Sequence, residues 1–138
     1  MNDITYETIK WFQDFSELKN MMFSNVFRSE ERIFFVGRES FLLEHDQDCC
    51  ENVWIEDIIG ELSDLENFEI LMAEHAVVEA KIGEEGSFGY ENELRESNWF
   101  KLATLKGYVT IRFNGTSNGY YSVSADLKKI EMGSDLPF

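Results

Sequence analysis

Residues 107–123 read GYVTIRFNGTSNGYYSV, and two Asn-Gly pairs stand where one would close a hairpin. Ahead of them Val109, Ile111 and Phe113 alternate with Tyr108, Thr110 and Arg112. Beyond them Tyr121, Val123, Ala125 and Leu127 alternate with Tyr120, Ser122, Ser124 and Asp126. A period of two is the signature of a strand with one buried face. With Trp99–Leu105 upstream, the runs 99–105, 108–113 and 120–130 predict a C-terminal β-meander. Both Asn-Gly pairs then fall in one connection, because Asn and Gly tolerate positive φ. That loop, 114–121, offers Ser117, Asn118 and Tyr120, with Arg112 nearby, as a candidate ligand site.

Working outward, Arg32–Val36 and Glu39–His45 are β-type runs around Gly37-Arg38 and predict a hairpin. Val53, Ile55 and Ile58 suit either a short strand or the start of a helix. Glu61–Asn67 is turn-like, and Val77-Val78 tips Phe68–Ala80 towards a strand. The glycine-rich 83–93 reads as a loop. At the N-terminus, Ile4, Thr8, Trp11, Phe15, Leu18 and Met22 recur every three or four residues, the spacing of one helix face. The expected class is therefore α+β: an N-terminal helix packed with an antiparallel sheet of about five strands, ending in the meander. One domain is expected over 1–138, with a helical segment 1–30, an α+β body 31–131 and a tail 132–138.

A chain of 138 residues with 12 Phe can bury roughly two-thirds of its unfolded surface. Its single Pro, Pro137, leaves no Pro-rich linker. Acids at Asp3 and Glu7 and short apolar runs argue against a signal peptide or a membrane span. A cytoplasmic protein is expected.

Charge is uneven along the chain. The net formal charge is −15, and Glu44–Glu96 holds 17 acids against only Lys81 and Arg95, leaving ten acids and ten bases elsewhere. Direct nucleic-acid binding needs clustered Lys and Arg and is disfavoured. A basic partner, such as a protein that itself holds nucleic acid, suits the acidic segment. Its candidate contacts are Glu61, Asp64 and Glu66 in one turn-like stretch, and Glu84, Glu85, Glu91 and Glu93 in another.

EHDQDCCENVWIED, 44–57, is the densest cluster of ligand-type residues. Zinc sites pair two knuckles of spaced Cys or His, whereas here Cys49 and Cys50 are adjacent with no second knuckle. Neither metal nor cofactor is expected, and the cysteines read as reduced thiols. Surrounding acids would raise a thiol pKa, the wrong direction for a cysteine nucleophile. No catalytic residues are assigned, so the chain reads as non-enzymatic. Trp54, Trp99, Phe100, Tyr108, Tyr120 and Tyr121 suit a stacking platform for a base or, more simply, sheet and core positions.

HDQDCCENVWIEDIIGELSDL and FKLATLKGYVTIRFNGTSNGYYS resemble a domain of unknown function in small bacterial and bacteriophage proteins. The first motif rests on His45, Asp48, Cys49, Cys50, Glu51, Ile55, Glu56, Asp57, Gly60 and Leu62. The second rests on Lys101, Thr104, Lys106, Gly107, Arg112, Gly115, Ser117, Asn118, Gly119, Tyr120, Tyr121 and Ser122. The resemblance covers about 40–130, outside the segment of Trp11 and Phe15. It implies an α+β domain in a phage or mobile-element setting and supplies no activity. The functional expectation is an acidic inhibitor occupying the basic groove of a host defence enzyme such as a CRISPR-type nuclease. The alternative is a small-molecule or nucleotide-signal binder that uses the 114–121 loop.

Overall fold

The computed structural model describes residues 3–12, 14–84 and 93–130. Among them run nine strands: β1 (Asp3–Phe12), β2 (Phe23–Ser29), β3 (Arg32–Gly37), β4 (Ser40–Glu44), β5 (Asn52–Ile59), β6 (Met72–Glu84), β7 (Glu93–Thr104), β8 (Gly107–Ser117) and β9 (Asp126–Ile130). Five form an antiparallel sheet ordered β1-β6-β7-β8-β5, and four form a second ordered β2-β3-β4-β9. Between the sheets lies one apolar cluster. Val26, Ile33, Phe35, Phe41 and Leu43 come from the smaller sheet, and Ile55, Ala73, Phe100, Leu102, Val109, Ile111 and Phe113 from the larger. Two layers sharing one core make a β-sandwich.

The expected α+β class is overturned, and with it the N-terminal helix. The first segment is β1, which pairs with β6 from Asp3↔Glu84 to Phe12↔His75. Its sequence, DITYETIKWF, is rich in β-branched and aromatic residues, which favour a pleated surface. A helix there would leave a long edge of β6 unpaired. The three-residue spacing does survive over Asp14–Leu18, as a 3-10 helix that buries Phe15 and Leu18. Phe15 joins the layers, with its ring 4.9 Å from Phe100 and 6.5 Å from Phe35.

The C-terminal meander is also corrected. β7 and β8 form a hairpin from Leu94↔Ser117 to Thr104↔Gly107, but the third run leaves that sheet. Residues 118–125 cross between layers without regular structure, and β9 pairs with β4 from Ser40↔Ile130 to Glu44↔Asp126. Val123 and Ala125 are buried on that crossing, so a passing segment carries the alternation of a strand. The hairpin around Gly37-Arg38 forms as β3 and β4, and 53–58 lies within β5.

Asn114-Gly115 is not a turn. It lies within β8, where Asn114 pairs with Trp54 and Ser97, and Gly115 with Val53 and Glu96. A Cβ on Gly115 would come within 2.6 Å of the Val123 Cβ, so glycine is there to let the crossing segment approach. The turn residue is Gly119, at φ +96°. Of the expected 114–121 loop, residues 114–117 belong to β8.

Candidate functional site

The described members of the two acidic sets lie at opposite ends of the larger sheet. Glu61, Asp64 and Glu66 flank or occupy the 3-10 helix Leu62–Leu65, beside the β7–β8 turn. Thr104 Oγ1 donates to the Asp64 carbonyl at 2.5 Å, and Leu71 N–H to the Ala103 carbonyl at 2.8 Å. Glu93 opens β7 at the other end, eleven residues from Thr104, or roughly 35 Å at the rise of a strand. Glu93 pairs with Arg95 at 3.2 Å, and the side chain of Glu84 and residues Glu85 and Glu91 lie outside the described residues. Within the first set, Glu66 accepts the Val26 N–H at 2.9 Å and so ties the connection to β2.

Position along the chain hid the rest of this end. Glu69 and Glu74 are exposed near it, and Glu56 and Asp57 are exposed further along β5, opposite the Arg112–Phe113 step of β8. No base stands between Glu56 and Glu74 in the sequence, a signal that could have found them. Among the described residues none of these acids, nor Glu61, Asp64 or Glu66, forms an ion pair. The same end exposes Ile59, Phe68, Leu71, Leu105 and Tyr108, with Leu105 at 83% and Tyr108 at 70%. Lys101 and Lys106 are its exposed bases on β7 and the β7–β8 turn. The result is an apolar patch with a mostly acidic border.

Arg112 does not join Ser117, Asn118 and Tyr120. It lies on the outer face of the larger sheet, with its guanidinium 4.5 Å from the Trp99 ring centre. Its Nε donates to Asn114 Oδ1 at 3.0 Å and its Nη2 to Ser97 Oγ at 3.3 Å, while Ser97 Oγ donates to Asn114 Oδ1 at 2.7 Å. Ser117 Oγ instead accepts Gly119 N–H and donates to the Tyr121 carbonyl, both at 3.0 Å, and Asn118 Oδ1 accepts Tyr120 N–H at 3.0 Å. These bonds build the turn and leave Tyr120 83% exposed.

The HDQDCCE motif folds around a buried carboxylate. Glu51 accepts the N–H groups of Asp48 at 2.8 Å and Cys49 at 2.9 Å, and meets His45 Nε2 at 2.8 Å. The Asp48 N–H, then those of Cys49 and the His45 ring, hold the Glu51 carboxyl down to about 2 against the opposing effect of burial. His45 Nδ1 donates to the Ser124 carbonyl at 2.7 Å. The two ring nitrogens thus bridge the Glu51 carboxylate and the Ser124 carbonyl. Cys49 and Cys50, expected as reduced thiols, are joined in a disulfide.

From Ser124 a polar chain continues inward. Ser124 Oγ donates to Glu96 Oε2 at 3.1 Å, Asn98 Nδ2 donates to the same oxygen at 3.4 Å, and Asn98 Oδ1 meets His75 Nε2 at 2.7 Å. The His75 ring lies flat on Phe100 at 4.1 Å and borders a cavity of about 90 Å³ shared with Asp14 and Asp126. Burial lowers the His75 pKa and raises that of Asp126, the latter with help from Asp46. Ser124 spends its proton on Glu96, so the chain holds the layers together and offers no paired nucleophile and base. Among the described residues no three His, Cys, Asp or Glu side chains gather as a metal site, and no helix is long and apolar enough to cross a membrane.

The family model described as Domain of unknown function (DUF7448) matches residues 6–127. The chain belongs to that family. No curated protein and no solved structure matches it. Both sequence motifs lie inside the DUF7448 span, as does the segment of Trp11 and Phe15, which the resemblance had placed outside. The DUF7448 domain is thus uncharacterised in function, and it takes in β1 from Tyr6 onward, whose ladder completes one edge of the larger sheet.

Proposed function

We propose that this chain is a non-enzymatic interaction protein that covers the basic, nucleic-acid-binding groove of another protein. The observation that supports it is the end of the sandwich around the β7–β8 turn. There, and along β5 leading to it, stand seven acids from Glu56 to Glu74 without an ion pair among the described residues, and the turn end exposes Ile59, Leu71, Leu105 and Tyr108. Acids alone attract many basic surfaces and bring little specificity. An apolar patch within an acidic border adds area that water leaves on docking, and the border sets orientation and on-rate. In its most concrete form the protein is phage-encoded and inhibits a CRISPR-type nuclease in the host cytoplasm.

The test is affinity capture from host lysate, with and without nuclease treatment, using wild type and a variant carrying Glu56→Gln, Asp57→Asn, Glu61→Gln, Glu69→Gln and Glu74→Gln. A nucleic-acid-binding enzyme should be retained by wild type after nuclease treatment, be released by added DNA or RNA, and be lost with the variant. Equal retention by both proteins would overturn the reading.

A further inference from the structure

The outer face of the larger sheet carries a second feature that the acidic end does not use. A basin of about 590 Å³ spans β5, β8, β7 and β6, bordered by Trp54, Arg95, Arg112 and Thr116 and floored by the small side chains of Ser97 and Ala80. Four neighbouring strands extend it over roughly 14 Å, at about 4.8 Å per gap. Arg112 stands at one rim of it, a row away from Asn114 and Ser97. Among the described residues no carboxylate lies within ion-pair reach of this side chain, in a protein of net charge −15. Asp57 is its Cα partner on β5 and forms no ion pair with it.

Arg112 is instead fixed by neutral groups: the Trp99 face, Asn114 and Ser97. A guanidinium has five N–H donors, and two are used here. The others stay available on a side chain already held in place, the arrangement that binds phosphate or carboxylate oxygens in pairs. Trp54 stands diagonally across β5 and β8, because its direct partner is Asn114, two residues along β8 from Arg112. Diagonal neighbours lie about 7–8 Å apart, a span that the ribose of a mononucleotide bridges. Trp54 is itself anchored, with its Nε1 donating to Glu56 Oε2 at 2.5 Å.

We infer that this basin binds a mononucleotide, with the base stacked on Trp54 and the phosphate on Arg112. Ser97, Asn114 and Thr116 supply hydroxyl and amide partners for the sugar and base edge. Arg95 is engaged by Glu93 at 3.2 Å and contributes less. Glu93 and Glu96 in the lining, with Glu56 and Asp57 on β5 beside Trp54 and Arg112, oppose highly charged ligands, which favours a monophosphate over a polyphosphate.

Tryptophan fluorescence and calorimetry on the full chain, titrated with AMP, GMP, UMP, adenosine and inorganic phosphate, test this. At least one mononucleotide should bind saturably, with adenosine and phosphate each at least about tenfold weaker, since each reaches only half the site. Arg112→Gln and Trp54→Leu should each weaken binding about tenfold or more, as expected for loss of a charged hydrogen bond or a stacking face. If a variant fails to fold, the wild-type indole N–H resonances of Trp54 and Trp99 provide the readout and should shift with the nucleotide. Absence of saturable binding by the folded wild type, unchanged affinity in both folded variants, or indole resonances that do not move would overturn the assignment.

Discussion

Gly115 and Gly119 sit four residues apart and are glycines for different reasons. A Cβ on Gly115 meets Val123 at 2.6 Å and Val53 at 3.1 Å, whereas one on Gly119 meets nothing within 4 Å but must accept φ +96°. Gly115→Ala should therefore cost about 1–3 kcal/mol by overpacking, and Val123→Ala in the same chain should recover part of it. Gly119→Ala should cost about 1–2 kcal/mol through backbone conformation, with no recovery from Val123→Ala. Chemical denaturation of the four variants measures all of this, and equal recovery in both backgrounds would contradict it. Glu51 makes a different demand, on pH. Its folded pKa of about 2 lies below the ordinary 4.5, so the unfolded chain binds the proton more tightly. The stability it contributes is complete above about 4.5 and is lost as pH falls towards 2. Glu51→Gln should lower the thermal midpoint at pH 7 and flatten its fall between pH 4.5 and 2. An unchanged acid limb would show that the carboxylate is not the group responsible.

Among the elements, the β8 face was legible because every second residue faces the core. Val109, Ile111 and Phe113 are buried while Tyr108 is exposed. Ile111→Ala should cost about 2–5 kcal/mol and Tyr108→Ala no more than about 0.5 kcal/mol. A reversed order in urea melts would mean that the faces are inverted. The N-terminal segment was not legible, because Phe15 and Leu18 follow a 3-10 spacing that continues by chance back through Trp11, Thr8 and Ile4. What decides for β1 is a distant partner, β6, and local spacing does not report it. β9 escaped for a related reason: the crossing through Val123 and Ala125 alternates like the strands around it, and only the pairing with β4 tells them apart. For the candidate site, the sequence picked out Arg112 but grouped it with Ser117 and Tyr120 by proximity along the chain. Parity separates them, since Arg112 and Ser117 stand on opposite faces of β8. Trp54 reaches the Arg112 basin only through the β5–β8 register, and the bulge between Ile55 and Asp57 shifts that register.

Over the whole molecule, the sandwich sorts charge by end. Seven acids gather between Glu56 and Glu74 with no base among them in sequence, while Glu39, Glu44 and Asp46 are neutralised by Lys128 and Lys129 across the β4–β9 pairing. Among the described residues the Glu56–Glu74 acids are thus a dense run without ion pairs, open to a partner. Exposed charges are screened over about 8–10 Å at physiological ionic strength, so their attraction should appear chiefly in the association rate. The patch of Ile59, Leu71, Leu105 and Tyr108 is uncharged and should govern dissociation. With a captured partner in hand, surface plasmon resonance can separate the two. Raising salt from 50 to 300 mM, or neutralising Glu56, Asp57, Glu61, Glu69 and Glu74, should slow association about tenfold or more with little change in dissociation. Leu105→Ser with Tyr108→Ser should speed dissociation and leave the salt dependence intact, with the fold retained because both side chains are exposed. If both sets leave both rates unchanged, the partner docks elsewhere. The outer sheet face around Arg112 then becomes the surface to mutate first.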